Sequence, residues 1–414
     1  MEIRPILSAL LRSKTGAILV ALQVGISLAI LANALHIVNV RQAVAARSTG
    51  IVNEAEIVHI QVRHLVKVDH NAQLARQQAE TDALRAVAGA RSVAFTNQIP
   101  LSQSGSSSSV AADPKQVRPS ATVAAYNSAD SLVQTWGLKL VEGRDYRRDE
   151  VLDIDNDSDS NEFPKVVLVT RAMAAKVWPN AASVIGKRLY MGTGADSQST
   201  EVIGVVERLQ SPEGEVGDEG EWSMILPMRM TNGYGTIFSI RAEPGQRERV
   251  TREAEAALRK ANGTGNPIIM RTRALEETRK IRYRADTSLS WMLITVSVLL
   301  LLITASGIVG MASLWVIQRR KQIGVRRALG ARKIDILRYF LTENVLITSF
   351  GVVAGVMLAI ALNQFLVSQL GMPRLPLPYL VSGACIFWAL GVAAVYGPAW
   401  RAASTSPALA TRSA

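Results

Sequence analysis

Four stretches of this chain carry no charged side chain for more than twenty residues each, and that property limits what it can fold into. Gly16 to Val40, Trp291 to Ile317, Asn344 to Leu370 and Tyr379 to Trp400 run for 25, 27, 27 and 22 residues without Asp, Glu, Lys or Arg. About 20 apolar residues in a helix cross a hydrocarbon core. In lipid every backbone polar group must be satisfied internally, so runs of this length predict four transmembrane helices rather than strands. The first run also invites comparison with a signal peptide, because Arg4, Arg12 and Lys14 precede or flank it and Ala43-Val44-Ala45 follows it. Its 25 residues exceed the ~7 to 15 of a signal h-region, so we read it as an uncleaved anchor.

Basic charge then orients the spans, since Lys and Arg accumulate on the cytoplasmic side. With a cytoplasmic N-terminus, the inside segments are residues 1–15, 318–338 and 401–414. They hold thirteen Lys/Arg against Glu2 and Asp335, a net of +11 out of the chain's formal +12. A pI near 10 would otherwise raise nucleic-acid binding, but here the excess sits in short membrane-flanking pieces and no nucleic acid is implied. The single cysteine, Cys385, lies in the last span, so no disulfide forms within the chain. The exterior residues, 41–287, must therefore build their own core, and their number is sufficient for one or two domains.

Within that region, Glu56 to Val66 alternates Val58, Ile60 and Val62 with His59, Gln61 and Arg63, the pattern of a half-buried strand. An Ala/Leu/Gln-rich helix is expected at Asn71 to Ala90 and a second strand at Arg91 to Ile99. The same order returns as a strand at Thr236 to Ala242, a charged amphipathic helix at Gln246 to Ala261 and a strand at Pro267 to Arg271. Two strand-helix-strand units so separated suit a split ferredoxin-like sheet. Residues 101–235 read as a β-rich insertion, with strands at Lys165 to Thr170 and Glu201 to Val206 and a helix at Arg171 to Trp178. Two stretches of it are expected to be loops: the serine-rich Gln103 to Ser109, a flexible linker, and the acidic Asp149 to Glu162. Asp153, Asp155, Asp157 and Asp159 alternate as in a calcium loop. However, Ser158 stands where glycine is required and Pro164 where a bidentate Glu is required, so a solvated loop is the better reading.

Catalytic constellations are missing from the sequence. It has no G-x-x-x-x-G-K-[ST], no H-E-x-x-H and no C-x-x-C, and His59 and His64 are expected on opposite strand faces, which argues against joint metal ligation with His70. Asn33 and His36, near the exterior end of the first span, are expected to be interfacial or helix-packing groups rather than a proton relay. The chain is read as a non-enzyme.

The most distinctive segment is R-R-K-Q-I-G-V-R-R-A-L-G-A, residues 319–331, between the second and third spans. It resembles the R-R-x-E-I-G-x-x-R-A-x-G-A segment of MacB/FtsX-type permeases, the mechanotransmission (type VII-like) class of ABC transporters. Trp136 to Arg144 (WGLKLVEGR), Ile185 to Arg188, Gly397 to Ala403 and Pro407-Ala408 are also similar to that family. The resemblance covers nearly the whole chain. It implies an α+β membrane protein: a cytoplasmic N-terminus (1–15), a first span (16–40), a periplasmic domain (41–287), a second span (288–317), a cytoplasmic coupling elbow (318–343), a third span (344–370), a short periplasmic loop (371–378), a fourth span (379–400) and a cytoplasmic tail (401–414). In the periplasmic domain, 41–100 and 236–287 would form a porter-like lobe and 101–235 a second lobe.

The resemblance further implies a permease subunit of the bacterial inner membrane that couples ATP hydrolysis on a separate ABC ATPase to movements of the periplasmic lobes. ATP and Mg²⁺ would belong to that partner. A second permease copy or paralogue, a periplasmic adaptor and an outer-membrane channel would complete an exporter. Related permeases instead regulate cell-wall hydrolases or release lipoproteins. The coupling residues would be Gln322, Ile323, Gly324, Arg326, Arg327, Ala328, Leu329, Gly330 and Ala331. Gln322 departs from the family's usual Glu, losing a charge able to pair with a basic residue of the ATPase or of the loop. Independently of the family, Gln318 to Leu329 is expected to continue the second span as a helix, Gly330 to reverse the chain, and Arg332 to Leu341 to restart as an amphipathic helix. Such an elbow also suits anionic lipid, where each Lys/Arg is worth ~1 kcal/mol.

Overall fold

The computed structural model describes residues 14–155, 162–194, 196–231, 236–262, 268–370 and 372–404. Two compact units emerge, residues 44–285 and residues 1–43 with 286–414.

The first unit contains a four-stranded antiparallel sheet. Its strands are β1 (Ile57–Arg63), β2 (Ala90–Thr96), β12 (Thr236–Ala242) and β13 (Ile268–Ala274), in the order β13-β1-β12-β2. Helix α2 (His70–Arg85) follows β1, α5 (Arg247–Ala261) follows β12 and the short α6 (Leu275–Arg282) follows β13. Asp69 caps α2 by accepting from Ala72 N at 2.9 Å. Register places Val58 opposite Ile240, Ile60 opposite Phe238 and Phe238 opposite Phe95. Alternation puts the β1 valines and isoleucine of this set on one face. There they are buried with Leu84 of α2 and Val250, Ala254 and Leu258 of α5. The i, i+4, i+8 spacing of the α5 residues forms the apolar stripe that seats this helix.

Between β2 and β12 the chain builds a seven-stranded mixed sheet in the order β5-β9-β7-β10-β4-β3-β8. The strands are β3 (Ser107–Ala111), β4 (Ala121–Asn127), β5 (Leu140–Gly143), β7 (Val166–Thr170), β8 (Arg188–Met191), β9 (Ser199–Val206) and β10 (Ser223–Leu226). Because β8 pairs with both β3 and β9, the sheet closes on itself. Val167 and Val169 face one core with Val110, Leu189 and Met173 of α4 (Arg171–Val177), while Leu168 faces another. The latter core is shared with the four-stranded sheet through Ile57 and Ala94, around Trp136 of the short helix α3 (Leu132–Trp136). The buried Trp136 indole N–H donates to Ser239 Oγ at 2.7 Å, so its one polar atom is satisfied.

Two sequence expectations require correction in this unit. Ser107 to Ser109 are not linker but part of β3, paired antiparallel with Thr122 to Ala124 of β4. Ladder bonds use backbone groups that serine possesses like any residue, and the buried Val110 and Ala111 anchor the register. Within the acidic stretch, β6 (Leu152–Asp155) pairs parallel with β11 (Met228–Thr231), with Arg229 lying 3.6 Å from Asp153. Leu152 and Ile154 alternate with the two aspartates and supply the strand pattern, which net charge obscured. Asp157, Ser158 and Asp159 lie outside the described residues, as do Arg4, Arg12, Pro267 and Pro407-Ala408.

The helical unit consists of α1 (Lys14–Ala45), α7 (Arg284–Gln318), α8 (Arg320–Ala328), α9 (Lys333–Leu370) and α10 (Leu377–Ser404). Four of these are long and apolar enough to cross a membrane. Two statements about the elbow change. Helix α7 does not run on to Leu329, because Arg319 leaves helical geometry (φ −100°, ψ 12°) and α8 starts afresh. The break lets Ile323 join a buried cluster with Ile336, Phe340 and Ala402, from which a straight extension of α7 would carry it away. The expected amphipathic restart is not a separate helix either, since Lys333 to Leu341 is the opening of the 38-residue α9.

Helices in lipid gain little from burying apolar surface against each other, so close approach depends on small residues and hydrogen bonds. Gly25 of α1 meets Gly351 and Gly355 of α9. A Cβ on Gly355 would lie 2.9 Å from Gly25 O, and one on Gly351 would lie 2.7 Å from Ala21 O. Ser27 and Thr304 share a hydrogen bond of 2.9 Å, and Gln23 donates to Ile303 O at 3.0 Å. Asn33 donates to Ala359 O of α9 at 3.1 Å and so packs two helices, whereas His36 Nε2 lies 3.2 Å from Pro373 O in the segment between α9 and α10. The outer surface shows Leu302, Ile303, Phe350, Met357 and Phe365.

Two measurements probe these arrangements. Gly355→Leu should lower the thermal midpoint of the detergent-solubilised protein, with a cost of about 1–3 kcal/mol for overpacking. Gly310→Leu, where an added Cβ meets nothing within 4 Å, should leave it unchanged. In the first unit, burial pushes the His59 imidazole down from 6.5 to about 3. Its folded-state pKa is depressed, so its contribution is complete above about pH 6.5 and is lost as pH falls toward 3. Stability measured against pH should therefore fall more steeply below 6.5 in the wild type than in His59→Phe, by up to about 1.4 kcal/mol per unit.

Candidate functional site

The elbow between α7 and α9 is short, basic and held at several points. Among the expected coupling residues, Ile323 and Gly324 are buried, Ala331 is half-buried, and Gln322, Arg326, Ala328, Leu329 and Gly330 are exposed. Helical spacing puts Gln322, Val325, Arg326 and Leu329 on one outward face. Two of these are apolar: Val325 is 52% exposed and Leu329 83%. Gln322 makes no hydrogen bond among the described residues, so its amide is available to whatever meets this face.

Gly330 ends α8 at φ +99°, a conformation that glycine adopts freely and other residues seldom do. The Gly330 N–H reaches Arg327 O at 3.2 Å and the Ala331 N–H reaches Arg326 O at 3.1 Å, which satisfies carbonyls that a helix end would leave bare. Asp335 Oδ2 then accepts from Arg332 N at 3.0 Å and opens α9.

Three arginines tie the elbow to the bundle. Arg327 Nη1 donates to Ala403 O at 2.5 Å, in the last turn of α10. The Arg326 guanidinium lies over the Tyr339 ring, 5.1 Å from its centroid. Arg319, the residue at the break, donates to Glu343 Oε2 at 2.7 Å and Tyr339 OH at 3.3 Å. The Glu343 side chain is 1% exposed. This pair joins the end of α7 to the interior of α9, and sequence reasoning did not find it. The available signal was a carboxylate adjoining an uncharged span next to a run of cations.

The elbow thus has two sides. Ile323, Gly324 and Arg327 bind it to α9 and α10, Gln322, Val325 and Leu329 face outward, and Arg326 is exposed at the border with its guanidinium over Tyr339. No group of three or more His, Cys, Asp and Glu among the described residues is placed to hold a metal ion. The three histidines of the first unit go separate ways: His59 is buried, His64 meets Glu80 at 2.9 Å, and His70 meets Thr231 at 2.7 Å.

Residues 21–257 match the family model of the MacB-like periplasmic core domain, and residues 294–407 match that of the FtsX-like permease C-terminal region. The chain belongs to the MacB/FtsX family of ABC transporter permeases. This permease is a membrane protein with an extracytoplasmic domain of MacB type. Its curated relatives include the pyoverdine export ATP-binding/permease protein PvdT of Pseudomonas syringae, 30% identical over 267 residues, 62% of this chain and 39% of that protein. The macrolide export ATP-binding/permease protein MacB of Chromobacterium violaceum is 27% identical over 278 residues, 66% of this chain and 40% of that protein. The permease spans about two fifths or less of the length of these relatives. Among solved structures, the extracellular domain of the noncanonic ABC-type transporter YknZ from Gram-positive bacteria aligns with 51% of this chain and 100% of that one, at TM-score 0.32 and 16% identity.

Removing one member of a buried ion pair leaves the other charge unpaired in a low dielectric and costs about 3–5 kcal/mol, whereas replacing both with apolar residues costs far less. Arg319→Leu should therefore lower the thermal midpoint sharply, and Arg319→Leu/Glu343→Leu should recover most of the loss. Equal loss in the single and double variants would show that the pair does not hold the elbow.

Proposed function

We propose that this chain is the membrane subunit of an ABC exporter, and that the outward face of α8 is the docking surface for an ATPase carried on a separate chain. The observation that carries this reading is the pairing of an exposed apolar face, Val325 and Leu329, with a rigid attachment behind it. A partner pressing on Leu329 acts on a helix fixed to α9 by the Arg319–Glu343 pair and to α10 by Arg327. Force at the elbow thereby reaches three helices at once. The exposed Lys321 and Arg326 give the surface a positive rim that suits an acidic partner groove and, at its edge, anionic lipid headgroups.

In this proposal the elbow, both termini and the basic excess are cytoplasmic, in the bacterial inner membrane, and the domain between α1 and α7 is periplasmic. Two permeases, identical or paralogous, form the working pair, and closure of the ATPases is converted into movement of the periplasmic domain by rigid-body transmission. Cargo leaves the periplasm through an adaptor and an outer-membrane channel. The names of the relatives, which refer to macrolide and pyoverdine export, support export as the class of function. ATP and Mg²⁺ are bound by the partner.

The test is affinity purification from native membranes in mild detergent, with the co-purifying proteins identified by mass spectrometry. Wild type should bring down an ABC ATPase. Val325→Asp/Leu329→Asp should lose it while keeping the wild-type melting temperature, because both positions are exposed. An ATPase retained by the double variant would overturn the assignment of the face, and none in either sample would overturn the exporter reading.

A further inference from the structure

The four-stranded sheet has a second face, turned away from α2 and α5, and part of it is polar. His59 and Gln61 of β1 lie there by alternation, and register sets Arg273 opposite His59 and Arg271 opposite Gln61. These four side chains line a cavity of ≈490 Å³, closed on another side by the segment from Asn97 to Ser106. That volume lies in the range of small-molecule sites.

Three features distinguish this cavity from an ordinary surface cleft. His59 is 3% exposed, yet neither of its ring nitrogens has a hydrogen-bond partner. Buried polar groups are almost always paired, so an imidazole orphaned at a cavity wall is poised for a partner that enters the cavity. Among the described residues no Asp or Glu lines the space, although two arginines do. Arg271 makes no ion pair among the described residues, and Arg273 has only Glu277, at 3.7 Å, whose side chain is 58% exposed. By contrast, the arginine-rich cleft around Arg85, Arg147 and Arg148 already contains Asp130, which pairs with Arg85 at 2.5 Å. The rest of the wall includes apolar surface from Ile99 and Ile237 beside the hydroxyls of Ser102 and Ser106. Asn97 is committed to Ala125 O at 3.0 Å and to Ser106 Oγ at 3.1 Å, so it shapes the wall and leaves the cations and His59 to bind.

We propose that this cavity binds a small hydroxycarboxylate. The guanidinium groups of Arg271 and Arg273 receive its carboxylates, as planar forks suited to two-point contact. His59 takes a hydrogen bond from, or gives one to, its hydroxyl, and Ile99 and Ile237 cover its carbon skeleton. Burial keeps His59 neutral, which leaves one ring nitrogen as donor and the other as acceptor, the pairing a hydroxyl requires. The assignment concerns the first unit alone and does not depend on ATPase docking, because binding is read on the purified chain.

The experiment is thermal melting and calorimetric titration of the full chain in detergent with citrate, malate and succinate, with phosphate as comparison, all at constant ionic strength. Wild type should show saturable binding, with malate preferred over succinate, which lacks the hydroxyl. Arg271→Gln should weaken all three by about tenfold or more, as expected for loss of a charge-assisted contact. Arg271→Gln/Arg273→Gln should abolish binding while the ligand-free melt shows that the fold is retained. His59→Phe should equalise malate and succinate. The proposal fails if no carboxylate binds saturably, if phosphate alone does, or if Arg271→Gln leaves affinity unchanged.

Discussion

A helix surrounded by lipid has no hydrophobic reason to prefer another helix, and that constraint governs the whole membrane unit. What holds α1 against α9 is the absence of side chains at Gly25, Gly351 and Gly355, which lets backbones approach until dispersion and weak polar contacts count. Around this contact sit a few polar pairs, Ser27 with Thr304 and Asn33 with Ala359 O, each removing the cost of a polar group in hydrocarbon. The elbow follows the same logic at the boundary. Arg319 at the break and Glu343 in α9 satisfy each other, so the helix can bend there without exposing a charge to lipid.

The extramembrane unit obeys the opposite regime, in which burial of apolar surface dominates. Its four- and seven-stranded sheets share one core through Ile57, Ala94, Trp136, Leu168 and Ile225, drawn from both sides. The buried Arg241 belongs to this seam, with Glu56 at 3.0 Å and the carbonyls of Thr135 and Val52 at 2.8 and 2.9 Å. The face that bears His59 adjoins it, which explains how an unpartnered imidazole persists: it is placed by the packing of Trp136 and Ile57 around it rather than by bonds of its own.

Much of this was legible in the chain because the forces concerned are local. Uncharged runs become helices since lipid permits little else, and the strands around Val58 to Val62 and Thr236 to Ala242 follow from period-two alternation. Gly330 was recognisable as the turning point because a reversal there calls for positive φ. The failures all involve partners distant in sequence. Ser107 to Ser109 become a strand because Thr122 to Ala124 are available to pair with them, and Leu152 to Asp155 because Met228 to Thr231 are. The bend at Arg319 depends on Glu343, 24 positions away, and no local propensity announces it. The coupling residues were named from a resemblance that left out Val325, which the fold places on the outward face. The division of that list into anchoring and exposed members required the fold.

The attachment of the closed sheet has a mechanical meaning. The chain leaves the four-stranded sheet after β2 and returns at β12, and these strands are antiparallel neighbours with Thr96 opposite Ile237. Both connections therefore depart from the same end of one hydrogen-bonded ladder. A load that draws the two connections apart acts on that ladder as on a zipper, opening its rungs in succession from Thr96 and Ile237. A load along the strands pulls both connections the same way and does not shear these rungs against each other. The joint is compliant in one direction and stiff in the other, and the seam around Trp136 resists the direction in which the ladder alone would yield.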